Sequence, residues 1–240
     1  MNKYKDTQKW GEISEKYSLK DLLKLYNTPS EWRENLLNTI QNLPFPPQKG
    51  SIDILEAGSS FGTTSALLPD NFNITLVDVD DIALKKASEF YNYLQKDVFI
   101  LKQDIFDLHK LNKKYDIVYN AGVIEHFNKA ERNEMLFNMA SITNDSGYIL
   151  VSYPNHNCLP YWLGYWYQLI TRKWIYTKEY KINISAFNEG SFSLKIFSVT
   201  DFDKKVIYDF LPKKTVRIFK LADKILPFQG YLKVIIFKKL

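Results

Sequence analysis

The stretch Ile54-Leu55-Glu56-Ala57-Gly58-Ser59-Ser60-Phe61-Gly62 decides the fold. Its apolar beginning reads as a buried strand, Ile52–Ala57, closed by Gly58. The glycines that follow let backbone approach a ligand and adopt dihedrals that other residues avoid. The loop is expected to lead from the strand into a helix. In an open parallel sheet, ligands bind beyond the carboxyl ends of the strands, where strand order reverses, and that reversal usually falls at the first strand. A dinucleotide fingerprint would need glycines at 58, 60 and 63, but Ser60 and Thr63 occupy two of these positions. A phosphate-binding loop ending in Gly-Lys-Ser/Thr is also missing.

Downstream, short apolar runs alternate with helical stretches. Ile74–Val79, Val98–Leu101, Asp116–Asn120 and Tyr148–Tyr153 read as strands. Between them, Ile82–Leu94 reads as a helix with Ala83, Ala87, Phe90 and Leu94 inward, and Ala130–Ile142 as another. This alternation predicts βαβ units and a doubly wound α/β fold, a mostly parallel sheet with helices on both faces. Upstream, Trp10, Ile13, Tyr17, Leu19, Leu22, Leu23 and Leu25 recur at helical spacing. A second helix is expected after Ser30, a natural N-cap, with Glu31 and Glu34 suited to its first turn. Pro44, Pro46, Pro47 and Gly50 end this segment as a linker. After Pro154 the alternation stops. A hairpin is expected around Glu189-Gly190, with late strands at Val216–Phe219 and Tyr231–Phe237.

The length of 240 residues suits one domain with a sizeable core. The net charge of +5 is mild, although cations thicken from Lys213 to Lys239. A nucleic-acid footprint would need a clustered, aromatic-studded stripe; a solvated face of a lysine-rich protein is the preferred reading, with anionic acceptors and anionic membrane surfaces left open. Cys158 is the only cysteine, which excludes an internal disulfide or a cysteine metal cluster; no metal is expected, and a reducing, cytoplasmic setting fits. The polar N-terminus carries no signal core, and no apolar run reaches 18 residues.

Three positions beyond the loop suggest chemistry. Asp78 closes the second strand, twenty positions after Gly58, where a carboxylate can accept two ribose hydroxyls. The competing role, capping the next helix, can be filled by Asp80 or Asp81. Asp104, beside Ile105, can accept an adenine amino group while the ring packs on Ile105; its plainer role is that of a turn residue. The fourth strand runs through Tyr115-Asp116-Ile117-Val118-Tyr119-Asn120-Ala121 into Gly122-Val123-Ile124-Glu125-His126-Phe127.

Over about residues 50–156 the chain resembles the class I S-adenosylmethionine-dependent methyltransferases, in the group acting on small molecules. The resemblance rests on Glu56, Gly58, Ser60 and Gly62 after the first strand, Asp78 after the second and Asp104 after the third. It continues through Glu125-His126-Phe127, Gly147, Pro154 and Asn155. The departure is Ser60, which replaces the middle glycine and fits if its backbone angles stay ordinary. The resemblance implies a Rossmann-like domain of residues 1–240: an N-terminal helical cap (1–47), a cofactor-binding core (48–157), and an acceptor lid with closing strands (158–240). S-adenosylmethionine is the implied cofactor and S-adenosylhomocysteine the product. Gly58, Ser59 and Ser60 would line the methionine moiety, Glu56 would hold its amino group through water, and Asp78 and Val79 would take ribose and adenine. Asp104 and Ile105 would hold the adenine edge and face, and Asn120 and Ala121 would touch the cofactor through backbone.

Methyl transfer from a sulfonium chiefly needs alignment and a dry site. A base is required only if the acceptor must lose a proton. His126 is the candidate, against the alternative that it caps its loop or packs on the cofactor. Tyr153, Asn155 and His156 follow the fifth strand and could face the acceptor or simply form a loop. In Cys158–Ile170, Tyr161, Trp162, Tyr165, Trp166, Leu169 and Ile170 share a helical face, read first as a lid over an apolar small-molecule or lipid-like acceptor. Ordinary core is the second reading, and a helix lying in a membrane interface the third. A non-catalytic cofactor-binding protein and an RNA methyltransferase are the competing functions.

Overall fold

The computed structural model describes residues 7–46, 50–183, 194–202 and 211–240. Seven strands form one sheet: β1 (Ile52–Ala57), β2 (Phe72–Asp78), β3 (Phe99–Lys102), β4 (Tyr115–Ala121), β5 (Thr143–Pro154), β6 (Leu194–Phe202) and β7 (Leu232–Lys239). Their order is β3-β2-β1-β4-β5-β7-β6. The first five are parallel, and β7 runs antiparallel between β5 and β6. Strand order therefore reverses between β1 and β4, and the glycine loop leaves β1 at that crevice.

Side chains alternate between two cores. Ile54, Ile117, Tyr119, Tyr148 and Leu150 face one layer, in which they meet α2 (Leu19–Asn27), α3 (Glu31–Gln41) and α4 (Asp81–Leu94) through Leu22, Leu36, Ile40, Ala83, Ala87 and Phe90. Leu55, Val118, Ile149 and Val151 face the other, closed by Met135, Leu136 and Met139 of α5 (Lys129–Ser141) and by Ile105, Phe106 and Leu108. Both faces are apolar, which explains why the strands read as nearly continuous hydrophobic runs.

Helix boundaries follow local chemistry. Ser18 accepts from the Asp21 N–H while Asp21 accepts from the Ser18 N–H, which separates α1 (Thr7–Glu15) from α2. Asn128 and Glu131 make the same reciprocal pair ahead of α5. Ser30 does occupy the N-cap of α3, but its side chain makes no capping bond.

Two expectations change. The glycine loop enters only a short 3₁₀ turn, Ser65–Leu67, so the first long helix is α4. Val216–Phe219 is not a strand; it opens α7 (Val216–Ile225), because Ile218, Leu221, Ala222 and Ile225 recur at helical spacing over the longer window. The hairpin tip at Glu189-Gly190 lies outside the described residues. The aromatic stretch forms α6 (Leu159–Ile170). Among the described residues, no helix is long and apolar enough to cross a membrane.

Candidate active site

A cavity of about 380 Å³ opens at the carboxyl ends of β1, β2 and β4. Gly58, Ser59 and Ser60 form its floor, with Glu56 below and Asp78, Val79, Asp104, Ile105 and Ala121 around it. The floor is tightly shaped. Gly58 has φ +71°, and a Cβ there would come within 2.7 Å of Val123 Cγ2. Gly62, at φ +63°, is not among the lining residues; a Cβ there would collide with the Leu76 side chain.

Ser60 departs from expectation. Its φ is +48°, so it occupies the left-handed region instead of an ordinary conformation. The Ser60 N–H donates to Asp78 Oδ2 at 2.7 Å, and this bond helps hold the turn. Asp78 Oδ1 also accepts from the N–H groups of Val79 (2.7 Å) and Asp80 (3.0 Å). Asp80, as expected, caps α4 through the Ile82 N–H. Burial pushes the Asp78 carboxyl up, against these three donors. Of its roughly four acceptor positions, three are filled, which leaves Oδ2 the better-placed oxygen for a further hydroxyl.

Glu56 is fully buried and accepts from the Ser65 hydroxyl at 2.7 Å; Ser65 and the Tyr119 hydroxyl lie 2.6 Å apart. Burial pushes the Glu56 carboxyl up to about 7, and Ser65, Tyr119 and Arg33 oppose that rise. Arg33 of α3 also lines the cavity, donating to Thr63 Oγ1 (2.6 Å) and to the Leu25 carbonyl (2.8 Å). Asp104 accepts from the Phe106 N–H at 2.9 Å, so its turn role is present while it lines the cavity. Asn120 does not line the cavity; its side chain is buried toward α5, with Nδ2 3.5 Å from Met139 Sδ.

The roof comes from the N-terminal helices. Trp10, Ile13, Tyr17, Leu25 and Trp32 line the cavity, together with Tyr176 and Phe127. Lys86 of α4 donates to the carbonyls of Ser14 (2.8 Å), Glu15 (2.9 Å) and Tyr17 (2.6 Å), capping the end of α1. His126 stands on the cavity wall, edge-on to Trp10 at 5.4 Å between centroids. Its Nδ1 is 2.7 Å from Thr177 Oγ1 and 3.2 Å from the Lys178 carbonyl.

Tyr153, Asn155, Tyr161, Trp162 and Trp166 are not among the lining residues. Tyr161 is buried, donating its hydroxyl to Glu179 at 2.6 Å, and His156 Nε2 lies 3.0 Å from the same oxygen. Asn155 is buried and donates to the Gly230 carbonyl at 2.9 Å. Tyr153 is buried in the second core. Trp162 and Trp166 are exposed. The inward face of α6 therefore backs the strap of residues 174–182, whose Tyr176 reaches the cavity. Strap and wall are further joined by Tyr180 N–H to the Glu125 carbonyl (2.7 Å) and Arg132 to the Tyr180 carbonyl (3.0 Å). Burial and the nearby Glu179 push the Glu125 carboxyl well up.

Residues 54–147 match the family model described as a methyltransferase domain. No curated protein matches the chain by sequence. Among solved structures, magnesium protoporphyrin IX methyltransferase from Synechocystis PCC 6803 with bound S-adenosylhomocysteine has 14% identity and a TM-score of 0.60, covering 88% of this chain and 82% of that one. An S-adenosylmethionine-dependent methyltransferase from Clostridium acetobutylicum has 11% identity and a TM-score of 0.58, covering 95% and 94%. A cyclopropane synthase from Mycobacterium tuberculosis has 12% identity and a TM-score of 0.58, covering 86% and 84%. The match thus sets a methyltransferase domain over residues 54–147, and the solved structures share the Rossmann-like fold of the whole sheet.

Proposed function

We propose that the cavity binds S-adenosylmethionine across Gly58–Ser60 and that the chain transfers its methyl group to a small-molecule or lipid-like acceptor held under the aromatic roof. The observation that carries this reading is the convergence of Glu56, Ser59, Asp78 and Asp104 with Arg33 and His126 on one cavity. The polar lining fits such a molecule: among the described residues, Ser59 Oγ and Asp80 Oδ2 are buried without a hydrogen-bond partner. Buried polar atoms of this kind favour a ligand that satisfies them. Bound there, S-adenosylmethionine supplies an electrophilic methyl on a sulfonium.

The chain's own residues then do four things. Arg33 offers a fixed cation to the methionine carboxylate, and Glu56 an anion to the ammonium. Asp78 and Asp104 accept from ribose and adenine, with Val79 and Ile105 against the ring. Trp10, Tyr17, Phe127 and Tyr176 exclude water and give an apolar surface to the acceptor. His126 accepts the acceptor's proton where one must leave, its ring held by Thr177 and Lys178.

Calorimetric titration with S-adenosylhomocysteine and with NAD, followed by label transfer from methyl-labelled S-adenosylmethionine to acceptor panels, tests the reading. S-adenosylhomocysteine is expected to bind more tightly than NAD. Tighter NAD binding would overturn the cofactor, and transfer to RNA with none to small molecules or lipids would overturn the acceptor. Arg33→Met is expected to weaken S-adenosylhomocysteine about ten- to a hundred-fold, through loss of a charged hydrogen bond.

A further inference from the structure

Helix α7 buries none of its residues. Ile218 (66% exposed), Leu221, Ile225 (86% exposed) and Leu226 present aliphatic side chains to solvent. At 100° per residue, Ile218, Leu221 and Ile225 fall on one stripe, and Arg217, Lys220 and Lys224 on the stripe beside it. Lys213, Val216, Arg217, Lys220, Leu221 and Lys224 line a shallow groove. The helix has one acid, Asp223, on its other side, where Oδ1 accepts from the Phe228 N–H at 2.7 Å. Within the helix itself, cations thus adjoin the exposed apolar stripe with no acid between the two.

A second exposed face belongs to α6. Leu159, Trp162, Trp166 and Ile170 of α6 are exposed at spacings of three, four and four. The two helices root at one place. The Asn155 N–H donates to the Tyr231 carbonyl at 2.6 Å, and the Tyr161 and Tyr231 rings lie 4.8 Å apart. Asn155 follows β5 and leads into α6, while Tyr231 follows the segment that leaves α7. Because β5 is parallel to β4, both helices emerge at the end of the sheet that carries the cavity.

We infer that α7 docks on the surface of an anionic lipid bilayer, with Ile218, Leu221 and Ile225 entering the headgroup boundary and Arg217 and Lys224 meeting lipid phosphates. A high-moment helix with cations flanking an exposed aliphatic stripe is the composition that lies in such an interface. Tryptophans on α6, which starts from the same end of the sheet, suit such an interface. A protein partner fits less well, since lysine is depleted in the cores of protein interfaces. Nucleic acid would use the cations but leave the aliphatic stripe in water. The inference does not depend on the cofactor reading, because docking is measured without cofactor.

The test is co-sedimentation of the full chain with vesicles of phosphatidylcholine alone and of phosphatidylcholine with phosphatidylglycerol. The protein is expected to sediment with the anionic vesicles, less so at high salt, and to remain in solution with neutral ones. Arg217→Gln with Lys224→Gln should lower the partition about 25-fold, roughly five-fold per cation removed. Ile225→Glu should lower it about ten-fold or more. All three positions are exposed, and unchanged melting curves establish that the variants fold. Absence of binding to anionic vesicles, or binding that survives both variants, would overturn the inference. So would a soluble dimer that Ile225→Glu dissociates, or tighter binding to RNA than to vesicles.

Discussion

The Ser60 N–H points at the Asp78 carboxylate from 2.7 Å, and so joins the loop after β1 to the end of β2. A non-glycine residue at φ +48° costs about 1–2 kcal/mol, and this bond is part of what holds it there. The same aspartate is the proposed ribose acceptor. Asp78→Ala is therefore expected to do two things at once. It should lower stability by about 1–3 kcal/mol through donors left without an acceptor, and weaken S-adenosylhomocysteine about ten- to a hundred-fold. Chemical denaturation and calorimetry read the two separately. Ser60→Gly should hold stability within about 1 kcal/mol of the parent, and Ser60→Val should lose about 1–3 kcal/mol, because a branched side chain tolerates that region worst.

Glu56 gives a pH dependence with two opposite signs. Its folded carboxyl titrates near 7, against an ordinary 4.5, so the unliganded protein loses stability as pH rises between those values. Cofactor affinity should move the other way. Only the ionised carboxylate attracts the ammonium, so affinity is expected to rise up to about tenfold per pH unit and level off above about 7. Titrations from pH 5.5 to 8.5 with the parent and Glu56→Gln check this; Gln should give weaker binding and a flat profile across this range (limits of about that width suffice).

Much of this arrangement could be read from the sequence, and the reason is burial. Strands β1 to β5 are covered on both faces, so their apolar runs and the glycines and acids at their ends stood out. The roof was less legible. Periodicity sets Trp10 with Ile13, and Trp32 with Leu36, on apolar helical faces, but does not show that those faces cover a cavity. Arg33 carried one signal, a cation set among apolar helix positions, which the apolar pattern obscured. For α6, the stripe was visible but not its partner: Glu179, eighteen residues after Tyr161, draws that hydroxyl to the strap. At α7, the four-residue window Val216–Phe219 matches a strand as well as a helix, and only the ten residues to Ile225 decide for the helix.

The roof is pinned at Lys86, whose ammonium serves three carbonyls at the end of α1 and just beyond. Lys86→Met is expected to cost about 1.5–3 kcal/mol in that local contact while the sheet stays folded. Protease cleavage within residues 7–46 should accelerate, and S-adenosylhomocysteine should dissociate faster. Equal cleavage rates in parent and variant would show that the roof is held by its aromatic contacts alone.

His126→Asn tests the proton-transfer role. For an acceptor that must shed a proton, turnover should fall about 10²–10⁴-fold while cofactor affinity changes little. For an acceptor already deprotonated at the assay pH, turnover should fall far less. An equal loss with both acceptors would assign His126 to positioning.

The seventh strand has a consequence for how the molecule is made. β7 is the last of the seven strands, yet it sits between β5 and β6, and among the described residues β6 pairs with no other strand. As the chain leaves the ribosome, β1 to β5 can pair in turn while β6 waits, its amides without a sheet partner. One edge of the sheet is thus left open until residues 232–239 arrive and fill the gap. A nascent chain halted before Leu232 would carry the cofactor loop already formed beside an open edge of β5, the kind of edge through which unfinished chains associate.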